Sequence, residues 1–322
     1  MFYTNSNLEI LLALDKLVYG HTEAKKALIC LIRRSKRRQV QKWGYGTGEI
    51  NYTTRDDCDL LTPSKCLLVG ASGTGKTHLV KSLQRLADFP LITVDATQLN
   101  PTGAGGGLKE EDLRKMIVAN AEELVKSSSD YHSIECTVDQ TVVYIDEIDK
   151  LGNSFDSSGK WNSHVQSNFL TLIDNKDEFA GLSWIFSGAF SGIYDDKVVS
   201  NSIGFNSTES TKEKKPLTDE DIVRYGLLPE FVGRLNHIVE LEKFTAKEFE
   251  QILIKTILPN KVRDLSYMGT EKIDITDFPI KEVTEGAVAS SQGVRYMLRE
   301  VEKHFMDLEF SLDETDSLLL LQ

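Results

Sequence analysis

From about residue 7 to residue 38, apolar residues recur at helical spacing and give way to a basic run, Arg33, Arg34, Lys36, Arg37 and Arg38. The segment is read as helices with a basic end. Such an end can meet phosphates, but a solvated helix face accounts for it more simply. Residues 43–59 combine Gly, Thr and Asp without a sustained period and read as a loop. The texture then changes. Cys66-Leu67-Leu68-Val69 is a short apolar run closed by a glycine, and an amphipathic stretch from Lys76 to Ala87 follows, giving strand, loop and helix. Further strands are predicted at 91–94, 141–145 and 183–186, with helices at 110–125 and near 165–173. Alternation of this kind predicts an α/β fold, a parallel sheet with helices on both faces. From Thr245 the pattern is mainly helical, at 246–265 and 293–310, with β-like pieces at 272–275 and 318–321. The last is read as an edge strand of a second, smaller domain. The expected division is a large domain over residues 1–242, including the N-terminal helical segment, and a small one over residues 243–322.

Composition changes this picture little. A chain of 322 residues accommodates one large and one small domain at roughly 150 residues per domain. The net charge of -12 argues against a dedicated duplex-DNA binder, because neutralising phosphates requires clustered Lys and Arg. Cys30, Cys58, Cys66 and Cys136 are scattered without a C-x-x-C pair, so neither a zinc knuckle nor a disulfide framework is readable, and a reducing cytoplasm is expected. Residues 1–19 lack a basic leader and are interrupted by Glu9, Asp15 and Lys16, so no signal peptide is expected. No apolar run approaches the ~20 residues needed to span a bilayer.

The chemistry begins at Gly70-Ala71-Ser72-Gly73-Thr74-Gly75-Lys76-Thr77, a phosphate-loop pattern lying between a predicted strand and a predicted helix. Its glycines let backbone amides curl around a β-phosphate, Lys76 carries a point charge to the β/γ oxygens, and the Thr77 hydroxyl can ligate magnesium. His78, the next residue, is grouped with this nucleotide-contacting set. Val142-Val143-Tyr144-Ile145-Asp146-Glu147 is an apolar strand ending in two acids. After a complete phosphate loop, Asp146 is the candidate magnesium holder and Glu147 the candidate base that polarises the attacking water. ATP and Mg2+ are the cofactors expected.

Several separated segments also resemble one family. Tyr144-Ile145-Asp146-Glu147-Ile148-Asp149-Lys150 and Leu227-Leu228-Pro229-Glu230-Phe231-Val232-Gly233-Arg234-Leu235 look like the corresponding segments of ClpX-type AAA+ ATPases, in the Clp/HslU branch. Val94-Asp95-Ala96-Thr97-Gln98-Leu99, Ser187-Gly188-Ala189-Phe190 and Val18-Tyr19-Gly20-His21 are similar to it as well, in family order. The resemblance runs from about residue 8 to the C-terminus. It implies an AAA+ large domain with a mainly helical lid, and a ring, usually of six subunits, with nucleotides at the subunit boundaries. It further implies that Arg234 is the arginine finger reaching a neighbour's γ-phosphate, and that Val18 and Tyr19 contact the adenine.

The pattern departs from that family in four respects. Where relatives carry an aromatic pore loop, Gly103-Ala104-Gly105-Gly106-Gly107 offers little area for gripping a polypeptide. Relatives have a long insert with an Arg-Lys-His pore-entry element after the helix predicted to end near residue 173; here residues 174–181 make a short connection. The family's cysteine-rich zinc-binding domain is not seen before the resemblance begins, so its adaptor platform is expected to be lacking. At the second sensor, Gln292 stands in the arginine place, and Arg295, about one helical turn on, is the substitute. Against these, Ile203-Gly204-Phe205 matches the tripeptide by which ClpX docks into the peptidase ClpP, and an exposed Ile and Phe in a polar loop call for a partner. The expected function is a ring-forming motor that remodels or unfolds protein partners, with ClpP as a candidate partner and neither membrane nor nucleic acid. The alternative is a regulatory or structural subunit that uses ATP to assemble onto a Clp-type or other complex without translocating substrate.

Overall fold

The computed structural model describes residues 6–43, 63–99, 108–128, 131, 133–152, 159–174, 179–193, 216–267, 275 and 277–319. In chain order the elements are α1 (Asn7–Asp15), α2 (Thr22–Trp43), β1 (Lys65–Val69), α3 (Lys76–Ala87), β2 (Leu91–Asp95), α4 (Glu110–Ser127), α5 (Ile134–Gln140), β3 (Val142–Asp146), α6 (Gly159–Ile173), β4 (Ser183–Gly188), α7 (Asp219–Tyr225), α8 (Pro229–Val232), β5 (His237–Glu240), α9 (Ala246–Ile252), α10 (Leu258–Tyr267), α11 (Ile280–Ala289) and α12 (Val294–Leu319). They divide into two compact units. One comprises residues 1–14, 21–70 and 77–241; the other gathers Asp15–Gly20, Ala71–Lys76 and Glu242–Gln322.

The first unit is built on a five-stranded sheet in the order β2-β3-β4-β1-β5, with every pair parallel. The three central strands are nearly continuous apolar runs because helices cover the sheet: β4 is buried along its whole length and β3 along all but its last residue. Helix α2 packs on β1, β4 and β5, while α4 lies beside β2 and α6. The core joins Leu67, Val143, Ile145, Trp184 and Phe186 of the strands to Leu113, Ile117, Phe169 and Phe231 of the helices. Helix α4 starts where Glu110, Glu111 and Asp112 oppose the positive end of the helix dipole, and the Asp112 carboxylate accepts the Lys109 N–H at 3.1 Å. The expected parallel α/β class is what folds.

Strand β5, His237-Ile238-Val239-Glu240, is a half-buried edge strand without an apolar run, so periodicity does not predict it. Helices α5, α7 and α8 are likewise too short for helical periodicity to register. Trp43, placed in a loop by composition, ends α2.

In the second unit, α9 to α12 enclose a core of Phe249, Leu253, Leu258, Leu265, Val283, Met297, Val301 and Phe305. Thr245 caps α9: the Glu248 carboxylate accepts the Thr245 N–H at 2.7 Å. A π-helical turn, Leu253–Ile257, carries α9 into α10 just ahead of Pro259, which has no N–H to return to the carbonyl four residues back. The expected edge strand at 318–321 is corrected. Leu318 and Leu319 are the last residues of α12, since a helix nucleated at Val294 extends at one hydrogen bond per residue and no breaker intervenes. Of the β-like piece at 272–275, residues 272–274 lie outside the described residues and Ile275 belongs to no strand.

Candidate functional site

Parallel strands bring their C-terminal ends to one edge of the sheet, and there the first unit assembles a ring of oxygens. Residues two apart on a strand share a face, so Tyr144 and Asp146 of β3 present their side chains together. The Thr77 hydroxyl, in the first turn of α3, donates to Asp146 Oδ2 at 2.7 Å and lies 3.2 Å from the Tyr144 hydroxyl. From β4, whose register sets Phe186 beside Ile145, the Ser187 hydroxyl donates to Asp146 Oδ1 and lies 2.7 Å from the Tyr144 hydroxyl. The Glu147 N–H donates to Asp146 Oδ1 at 3.0 Å.

These bonds set the charge of the site. Burial pushes the Asp146 carboxyl up, but donors from Ser187, Thr77, Glu147 and Tyr144 together outweigh it and hold the group below its ordinary value. Burial, and then the Asp146 charge, push the Tyr144 phenol up, so it stays a neutral donor. Glu147 follows with φ +57 and ψ 34, a left-handed conformation rare for a side chain with a β-carbon, and is exposed. Backbone strain of this kind concentrates at functional positions. The 3-10 turn it opens, Ile148–Leu151, is anchored by Asp149, whose buried carboxylate accepts the Phe190 N–H at 3.3 Å.

The phosphate loop is ordered locally. Gly70 N–H reaches Gly188 O at 3.2 Å in the first unit. Within the second unit, Thr74 Oγ1 and Lys76 Nζ both donate to Ala71 O, at 2.8 and 3.1 Å. Gly73 and Gly75 take φ of +76 and +90, and at Gly73 a β-carbon would fall 1.9 Å from Gln292 O. Only glycine fits there. Arg295 Nη1 donates to Ser72 Oγ at 3.2 Å, so this expected substitute does reach the loop, while Gln292 meets it through its backbone. Val18 is buried in the same unit, and the Tyr19 ring stands edge-on to Phe244 at 6.2 Å between centroids. His78 is exposed on α3.

Arg234 is elsewhere. Its side chain pairs with Asp174, just after α6, and with Glu230 O. This region adjoins Lys65, the first residue of β1, at the sheet end opposite Asp146: Asn236 N–H donates to Lys65 O at 2.8 Å. Residues 103–107 and 203–205 lie outside the described residues, as do 175–178 of the short connection. Tyr144 and Ser187 were absent from the sequence reading as site residues. The i, i+2 spacing from Asp146 could have found Tyr144; Ser187 requires knowing that β4 neighbours β3.

A parallel sheet with a glycine loop after its first strand, and a threonine hydroxyl bonded to a carboxylate at the end of another, defines the P-loop class of nucleotide-binding folds. More particularly, residues 66–201 match the model of the AAA family, the ATPase family associated with various cellular activities. The match reaches from β1 past the end of β4 and so covers the phosphate loop and the acids that follow β3.

Proposed function

We propose that the chain is an ATP-hydrolysing, ring-forming AAA+ motor of the ClpX-like kind that remodels or unfolds protein partners, with a large domain over residues 1–242 and a lid over 243–322. The Thr77–Asp146 pair, 2.7 Å apart and followed by the exposed, strained Glu147, carries the reading. A hydroxyl and an ionised carboxylate are the hard oxygen donors magnesium prefers. Among the described residues no group of three His, Cys, Asp or Glu converges, so further ligands would come from water and phosphate oxygens. Bound ATP and magnesium supply the phosphoryl group and its charge neutralisation. Thr77 and Asp146 would hold the ion, Lys76 and residues 70–75 would bind the phosphates, and Glu147 would accept a proton from the attacking water. The Arg295–Ser72 bond supports a phosphate-sensing role for Arg295, and the burial of Val18 beside Tyr19 fits an adenine contact.

Arg234 favours a ring. The five residues of β1 span about 13 Å at ~3.3 Å per residue, and Arg234 lies near the end away from Asp146. That separation supports action on a second copy's nucleotide rather than its own. AAA+ proteins typically assemble as rings. Among the described residues no helix is long and apolar enough to cross a membrane. The glycine run at 103–107, with no aromatic to grip a polypeptide, favours a second reading: an ATP-assembled regulatory subunit of a Clp-type complex.

Replacing Glu147 by Gln tests the hydrolytic assignment: ATP binding is expected to persist while turnover nearly vanishes, and ordinary turnover overturns it. Sedimentation of that variant with ATP and magnesium, with and without ClpP from the same source and beside a Phe205→Ala control, separates the two partner readings. A larger ClpP complex lost in the control supports docking through Ile203-Gly204-Phe205. A ring alone supports a stand-alone remodelling motor.

A further inference from the structure

Three charges meet where β1 begins. Asp174 closes α6 by donating its N–H to Leu170 O at 2.9 Å. One of its carboxylate oxygens accepts Arg234 Nε, and the other lies 4.0 Å from Lys65 Nζ. Arg234 also donates Nη1 to Glu230 O, one helical turn back. Two of the three guanidinium nitrogens are thus tied down, while Nη2 makes no hydrogen bond among the described residues and the side chain is 36% exposed. Because the guanidinium is a rigid planar fork, fixing Nε and Nη1 fixes the direction of the remaining edge.

Folding stability does not account for the arrangement, since an ion pair this open to solvent adds little. The Lys65 side chain is the most buried of the three, at 16% exposed, and clamps the carboxylate from its other oxygen. Burial lowers the pKa of that ammonium, against the opposing pull of Asp174. The cluster therefore has one half-buried support, one bridging carboxylate and one presented cation.

We propose that Asp174 is the positioning residue of Arg234, holding Nε so that the free edge of the guanidinium faces the nucleotide of a second copy of this chain. This rests on the reading of Arg234 as a finger acting between subunits. Catalysis by a charged group is sensitive to placement, and a displacement of about 1 Å can cost about 10²-fold.

The test uses the full chain with ATP and magnesium, reading kcat and KM together with ring size by sedimentation. Arg234→Ala is expected to lower kcat by about 10³-fold or more. Asp174→Ala and the equal-sized Asp174→Asn are expected to lower it by about 10- to 100-fold, with KM and ring size unchanged, and Asp174→Glu to recover part of the loss. Mixing Asp174→Ala subunits with Glu147→Gln subunits, which cannot hydrolyse but keep an intact finger, is expected to raise turnover per Asp174→Ala subunit. If Arg234→Ala is slow but both Asp174 variants turn over normally, the positioning role is overturned and the finger reading stands. Normal turnover in Arg234→Ala overturns the finger reading and the proposal with it. If both Asp174 variants are slow without gain on mixing, or both lose the ring, Asp174 acts on its own subunit and the proposal fails.

Discussion

At one end of the sheet, Asp146 is half-buried and takes hydrogen bonds from Ser187, Thr77 and the Glu147 N–H; at the other, Asp174 is 40% exposed and faces two cations, Arg234 and Lys65. Both are carboxylates kept charged, by different means. Hydroxyl and amide dipoles at hydrogen-bond distance hold the first, where salt screens little. Whole charges on long side chains hold the second, open to screening over roughly 8 Å at physiological ionic strength. The first environment suits the ion-holding role proposed for Asp146, and the second suits the positioning role proposed for Asp174.

The contrast can be broken most severely at its rigid end. Asp146→Asn keeps the shape and removes the charge; with a metal ion contributing several kcal/mol to transition-state stabilisation, turnover is expected to fall by about 10³-fold in steady-state assays, with the fold retained by circular dichroism. Ser187→Ala is milder. It deletes the hydrogen bond that does most to lower Asp146, so kcat is expected to fall about 10-fold. In the metal-free protein the Asp146 carboxyl is expected to titrate at higher pH in this variant than in the parent, because a donor to its charged form is lost; an unmoved titration would mean that Ser187 does not help to hold the charge.

At the adjustable end the effects shrink. Lys65→Met releases one oxygen of Asp174 while leaving the Arg234 bond, and kcat is expected to fall only about 2- to 3-fold, a 4.0 Å contact to a carboxylate that is 40% exposed being worth ~0–1 kcal/mol.

The same distinction between dipole and charge extends to two lysines, with the smallest expected effects. Lys36 donates to Ala87 O at 2.9 Å, and burial, opposed by the Asp88 charge, brings it down to about 8. Lys261 is also desolvated, but bonds to Glu302 and Glu309 at 2.6 and 2.7 Å outweigh that and raise it above 10.5. Between pH 8 and 10.5 the unfolded chain binds more protons at Lys36 than the folded one, so that group adds stability as pH rises. The Lys261 contribution is fully present below its unfolded value of 10.5 and is lost as pH climbs through the raised folded value. Thermal unfolding from pH 7 to 11 is expected to show Lys36→Met flattening the rise and Lys261→Met flattening the fall.

The sequence by itself determined the strands β1 to β4, the phosphate loop, and the acids that end β3. Each rests on a local rule: a buried parallel strand must be an unbroken apolar run, and a phosphate cradle must have glycines at positive φ. Where local rules are weak, the reading slipped. The run at 318–321 suits a strand, but α12 carries Leu318 and Leu319, and β5 lacks any run. Tertiary structure alone decided that Ser187 closes on Asp146, that Arg295 bonds to Ser72, and that Arg234 is held by Asp174, sixty residues earlier in the chain. These pairings depend on strand order and on which element ends meet. Neither is encoded in residue spacing, because a hydrogen bond between distant segments leaves no period in the chain.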